Sequence, residues 1–270
     1  MSYDLLLRNA HVIDPSQDWD GIADVGIEGN RIAGLGPGLD VAGCLDVRDL
    51  FGSHLCPGLI DLHGHWYEAG LYGINPEICL NHGVTTAVDA GTAGFANFPE
   101  FRRTVMETSR VDLLGFVHIS CLGLHTPFAE ELLNLNYARP VETAMVIDSH
   151  RPRAIGVKIR LGAMTGPHGD AALTQALEAA RSSTSPLMVH ISRGADERSV
   201  LERLRPGDIL THCFHGRGNR LIRSDGGLIS EVRVARERGL FFDVGHGCGS
   251  FSWETAQKAF EHEQAVRETA

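Results

Sequence analysis

The stretch Leu55-Cys56-Pro57-Gly58-Leu59-Ile60-Asp61-Leu62-His63-Gly64-His65 runs from apolar residues into a His-x-His pair. Read as a strand, its period of two puts Asp61, His63 and His65 on one face. Two neutral imidazoles on one rigid wall suit a divalent metal such as zinc, because the strand holds them in chelating geometry at little entropic cost. The bland alternative is a pair of polar residues that end a strand at the surface. Lys158 is the second candidate. The chain has only two lysines, Lys158 and Lys258, with arginine at every other basic position. Lys258 stands among polar residues and reads as a solvated helix face, whereas Lys158 lies inside the apolar run Ala154-Ile155-Gly156-Val157-Lys158-Ile159. A lysine there can do what a guanidinium cannot, namely lose its proton and act as a nucleophilic amine. A lysine snorkelling from a strand end is the alternative.

These residues need elements to position them. Residues 1–54 are β-rich, with strands over 4–8 and 23–27 and a hairpin loop at Glu28-Gly29-Asn30, and they carry no cluster of chemical groups. From residue 55 onward short apolar runs alternate with helical stretches. Strands are expected at the opening stretch and at 84–90, 113–120, 154–161, 187–192, 208–214 and 240–245. Helices are expected at 101–109, behind a capping box of Asn97 and Glu100, and at 172–181, 198–205, 229–238 and 252–267. In 172–181, Leu173, Ala176, Leu177 and Ala180 fall on one helical face. Apolar strands separated by helices imply a parallel sheet covered on its outer side. A doubly wound sheet is disfavoured, since no glycine-rich phosphate fingerprint follows the first strand. In a (β/α) barrel the C-terminal strand ends meet at one mouth. His63, His65, Lys158, His190 and His212 then share a rim, with His118, His215 and His246 at or just beyond other strand ends.

The 270 residues can bury a large core, and a net charge of −10 disfavours nucleic acid or an anionic membrane as partner. No apolar run approaches membrane-spanning length and no leader pattern opens the chain, so the cytoplasm is the expected location. The six cysteines show no C-x-x-C spacing, which argues against a structural zinc knuckle.

Pro57-Gly58-Leu59-Ile60-Asp61-Leu62-His63-Gly64-His65 resembles the first-strand motif of the amidohydrolase superfamily, and the later lysine and two histidines match its binuclear subtype. Val157-Lys158-Ile159-Arg160, Thr211-His212-Cys213-Phe214-His215-Gly216 and Asp243-Val244-Gly245-His246-Gly247 resemble its dihydroorotase-like branch, which includes deacetylases. The resemblance implies a (β/α)8-type TIM barrel over 55–270 beside a small sandwich-like domain over 1–54. It implies two divalent ions, zinc most often: His63, His65 and Lys158 on one, Lys158, His190 and His212 on the other, with Lys158 carboxylated by CO2 so that its carbamate bridges both. A hydroxide shared by the ions would attack an amide or ester of a small acyl substrate. His118, Arg160, His215 and His246 become candidates for holding the substrate carboxylate or oxyanion. A cyclic-amide hydrolase of the dihydroorotase kind is the alternative activity, and self-association into a homo-oligomer stays open.

The pattern departs from the family at one place. An aspartate at the end of an eighth strand should bind metal and shuttle a proton, and only seven strands are counted; Asp243 belongs to the seventh. The expectation is therefore an N-terminal portion of a longer enzyme, with no catalytic residue assigned, weak or absent turnover of its own, and unpaired edges at its first and seventh barrel strands. A non-catalytic fragment that still binds metal is the third reading.

Overall fold

A computed structural model of the chain describes residues 2–124, 131–192, 194–216, 221–223, 225, 227–247 and 249–268. It divides into two compact units, Met1–Leu59 and Ile60–Ala270. In the first, β1 (Leu5–Asp14) is the spine: β2 (Trp19–Glu28) runs antiparallel to it, β3 (Arg31–Gly36) returns beside β2, and β4 (Asp46–Asp49) and β5 (His54–Leu55) pair with β1 in parallel. The β2–β3 turn uses Gly29 at φ 58, as the Glu28-Gly29-Asn30 signal implies. Ala10, Val12, Ala23 and Val25 form its small core.

The second unit is built on seven strands in chain order: β6 (Leu59–Gly64), β7 (Val84–Asp89), β8 (Asp112–His118), β9 (Ala154–Leu161), β10 (Leu187–Ile191), β11 (Ile209–Thr211) and β12 (Phe241–Asp243). Every register from β7 to β12 is parallel. The helices are α1 (Phe98–Phe101), α2 (Pro140–Ser149), α3 (Gly169–Ser182), α4 (Glu197–Arg203), α5 (Ser230–Glu237) and α6 (Trp253–Glu268). On α3 the expected face is the buried one: Leu173, Ala176, Leu177 and Ala180 are all within the core. Each leucine there contributes about 1.5–3 kcal/mol by leaving water. β6 and β12 are the ends of the sheet order, and among the described residues no eighth strand lies between them. Among those residues no helix is long and apolar enough to cross a membrane.

Two local expectations fail, and one helix was not expected at all. Asn97 makes no side-chain cap; its Oδ1 accepts the Gly94 N–H instead, and α1 starts at Phe98 and passes into a π-helical turn over Arg102–Met106. The strand expected over 208–214 stops at Thr211, because His212 adopts φ 63 and swings its ring out of the strand path. The sequence reading also passed over α2, which opens with Pro140 at its first turn and buries only Thr143, Ala144 and Ile147. So narrow a stripe, with a threonine in it, gives little periodic signal.

Candidate active site

The C-terminal halves of the strands in the second unit, and the residues just after them, bring four imidazoles and one amine together. His63 closes on its neighbours with ring centroids 5.9 Å from His65 and 4.6 Å from His212, and His190 stands 4.5 Å from His212. Lys158 sits inside β9, only 1% exposed, and its Nζ is 3.3 Å from Met188 Sδ on β10. A thioether is a weak acceptor. Burial, reinforced by the Arg160 charge, lowers the Lys158 pKa to about 7. Burial and then the Lys158 charge push His65 down to about 2 and His212 to about 3, and lower His63 as well. His190 falls well below the usual range through burial and the charge of His212. All four rings are therefore neutral at pH 7, with a lone pair each to donate.

Three of the four rings are held by hydrogen bonds from groups at or just beyond other strand ends. His63 Nδ1 donates to Asp243 Oδ2 at 2.7 Å, and Thr211 Oγ1 is 2.9 Å from the same nitrogen while donating to the same carboxylate at 2.6 Å. Burial opposes the charge on Asp243, but the hydrogen bonds from His63 and Thr211 prevail and hold its pKa at about 2. His212 Nδ1 donates to the Gly245 carbonyl at 2.7 Å. His65 Nδ1 lies 2.8 Å from Thr92 Oγ1, whose other partner is the buried Asp89. With Nδ1 engaged in three of the rings, Nε2 is the atom each has left to offer. That is the pattern of metal-ligating histidines, oriented by a partner on the far nitrogen. The donors are not a preformed cage: among the described residues no three His, Cys, Asp or Glu side chains close on one point.

The remaining candidates divide. Arg160 Nη1 pairs with Glu131 Oε1 at 2.9 Å, and His118 Nε2 lies 3.3 Å from Glu131 Oε2. The Ser120 N–H donates to His118 Nδ1, so the His118 proton faces Glu131. Among the described residues, buried Arg160 Nε, His118 Nε2 and Glu131 Oε2 lack aligned hydrogen-bond partners. His246 is exposed and stacks on Phe251 at 4.7 Å, and His215 is half-buried; neither joins the four rings. The sequence left Asp243 without a role and passed over Thr211, Thr92, Asp89 and Glu131. The signal for Asp243 was its position at a strand end; the loop residue Glu131 carried none.

No protein-family model matches the chain. A deacetylase from Brucella anthropi is 33% identical over 245 residues, covering 88% of this chain and 60% of the relative. A crystal structure of a dihydroorotase matches with TM-score 0.85 at 30% identity, covering 96% of this chain and 70% of that one. The chain belongs to the amidohydrolase superfamily. A crystal structure of an adenine deaminase, another member of this superfamily, matches with TM-score 0.85 at 28% identity and 97% coverage of this chain. Its seven parallel strands are thus the greater part of an amidohydrolase barrel, and the chain spans 60% of the length of the Brucella relative.

Proposed function

We propose that this amidohydrolase chain carries the metal-binding part of a hydrolase that cleaves an amide or ester bond of a small acyl compound, in the manner of a deacetylase. The observation that carries the reading is Lys158: a buried amine, without an acid partner at bonding distance among the described residues, within electrostatic reach of four neutral imidazoles. The donor set fits divalent metal. His63 and His65 would serve one ion and His190 and His212 the other, each ring as a neutral ligand. As an ammonium, Lys158 would repel both ions. As a free amine its nitrogen could bond to the carbon of CO2 and release a proton, and the resulting anionic carbamate would be a ligand that offsets the charge of the ions. The chemistry that such ions supply is Lewis acidity, toward water and toward the scissile carbonyl.

The chain's other residues bind and orient. Asp243 holds His63 and stays ionised, which makes it a poor proton acceptor during turnover. Arg160 retains a buried Nε without a partner among the described residues, a donor for a substrate oxygen while Glu131 occupies its Nη1. The name of the Brucella relative supports deacetylation. The dihydroorotase match supports a second reading, opening of a cyclic amide by the same centre.

Stripping the protein with chelator and restoring zinc in bicarbonate buffer tests the proposal, with metal content by mass spectrometry and hydrolysis of N-acetyl amino acids beside dihydroorotate. About two ions per chain should return, and any hydrolysis should vanish and recover with them. Hydrolysis that survives complete metal removal overturns the reading, and turnover of dihydroorotate alone selects the second.

A further inference from the structure

The exit from β7 is tied to His65 by more than a turn. Asp89 is fully buried and takes four hydrogen bonds: Oδ1 accepts the Gly91 N–H at 3.0 Å and the Thr92 N–H at 2.6 Å, while Oδ2 accepts the Trp66 N–H at 2.8 Å and the Thr92 hydroxyl at 2.7 Å. A turn needs only the two bonds to Oδ1. The Oδ2 arm does something else: it runs through Thr92 Oγ1 to His65 Nδ1, 2.8 Å away.

Counting protons along that arm fixes its direction. Backbone N–H groups cannot reverse, and Asp89, as a carboxylate that already receives three of them, has no proton to give and can only accept from the Thr92 hydroxyl. The single hydroxyl proton of Thr92 therefore goes to Asp89, and the hydroxyl can only accept from His65. His65 must then carry its proton on Nδ1, and its bare lone pair is on Nε2. Thr92 is itself fully buried, and its methyl packs so closely on Gly70 that a Cβ there would lie 2.2 Å from Thr92 Cγ2. A β-branched residue packed in this way keeps one χ1, so the hydroxyl cannot turn away.

We propose that Asp89 and Thr92 form a positioning pair that locks His65 in the Nδ1–H tautomer and thereby selects Nε2 as its metal-ligating atom. The second half rests on the metal-centre reading above; the first does not. Neither residue touches the ion or the substrate.

The test uses the whole chain, labelled with 15N at histidine. Long-range 15N–1H correlation on the metal-free protein should show His65 as the Nδ1–H form alone. Thr92→Val keeps the shape and removes the hydroxyl: His65 should become a mixture of tautomers, and zinc affinity, read by competition with a chromophoric chelator, should fall about 10- to 100-fold. Thr92→Ser should restore both, which a merely structural threonine would not predict. An Nε2–H form in the wild type overturns the proposal without any variant, as does a folded Thr92→Val with unchanged tautomer and affinity. A wild-type chain that takes up no zinc overturns the metal reading alone, and the tautomer still decides whether the pair acts on the ring.

Discussion

Burying four imidazoles and an amine side by side makes each of them resist protonation, and that resistance is measurable as pH-dependent stability. Unfolded, a histidine takes up a proton near pH 6.5; folded, His212 holds off until about 3 and His65 until about 2. Between those values the unfolded chain binds more protons, so acid favours it and stability rises with pH. The metal-free chain should lose about 2 kcal/mol for each of these histidines on going from pH 7 to pH 5. Lys158 carries the same sign into alkali, since its proton leaves near 10.5 when unfolded and near 7 when folded. Urea titrations at pH 5, 7 and 9 check both limbs, and Lys158→Met should flatten the alkaline one. A flat acid limb would mean that the imidazoles are open to water. At this scale the sequence was legible as to which side chains come together, His63, His65, Lys158, His190 and His212, because residue type and place in a strand sufficed. It was opaque for Thr92, Thr211 and Glu131, whose roles come from hydrogen bonds across 27, 148 and 29 positions of chain, separations that no local pattern encodes.

The β7 exit shows how an element serves the site. Gly91 has φ +87, and a Cβ on it would lie 2.5 Å from both Cβ and Cγ of Lys158. The backbone thus presses on the lysine stem while the flanking Asp89 and Thr92 hold His65, so one turn sets two of the five central groups. Gly83, at the end of the turn Pro76–His82, has a similar φ of +73 but open space around it. Gly83→Ala should therefore cost only the left-handed penalty of about 1–2 kcal/mol. Gly91→Ala should cost about 2–4 kcal/mol, the steric clash adding to that penalty, and should weaken zinc binding as well. Denaturant midpoints and chelator competition on the two variants measure the difference, and equal costs would show that the close approach does not matter. Sequence periodicity found α3 because Leu173 and Leu177 repeat at helical spacing around buried alanines. It could not find the early stop of β11, which depends on the positive φ of His212 and the carbonyl of Gly245 that receives its ring.

At the scale of the barrel unit, alternation of strands with helices was enough to expect a parallel sheet in chain order, and the count of seven stands among the described residues. What counting could not anticipate is that the two end strands already touch: His63 on β6 hydrogen-bonds Asp243 on β12, 180 residues away. The sheet curls until its ends meet at the site, yet the outer side of β6 stays bare. The link from β6 to β7 supplies only the turn Pro76–His82, which packs on β7, and Ile60 and Leu62 remain 63% and 60% exposed. Phe241 on β12 is 64% exposed as well. Apolar strips on end strands favour pairing with a second copy, while a net charge of −10 opposes it. The two effects respond oppositely to one change. Placing lysine at both Ile60 and Leu62 moves the net charge from −10 to −8, which lowers repulsion, and removes the strip on β6. If apolar contact governs, light scattering should show the wild type associating more as added salt screens its charge and the double variant staying monomeric at the same concentration. If charge governs, the variant should associate more than the wild type, and the bare strand would have no bearing on assembly.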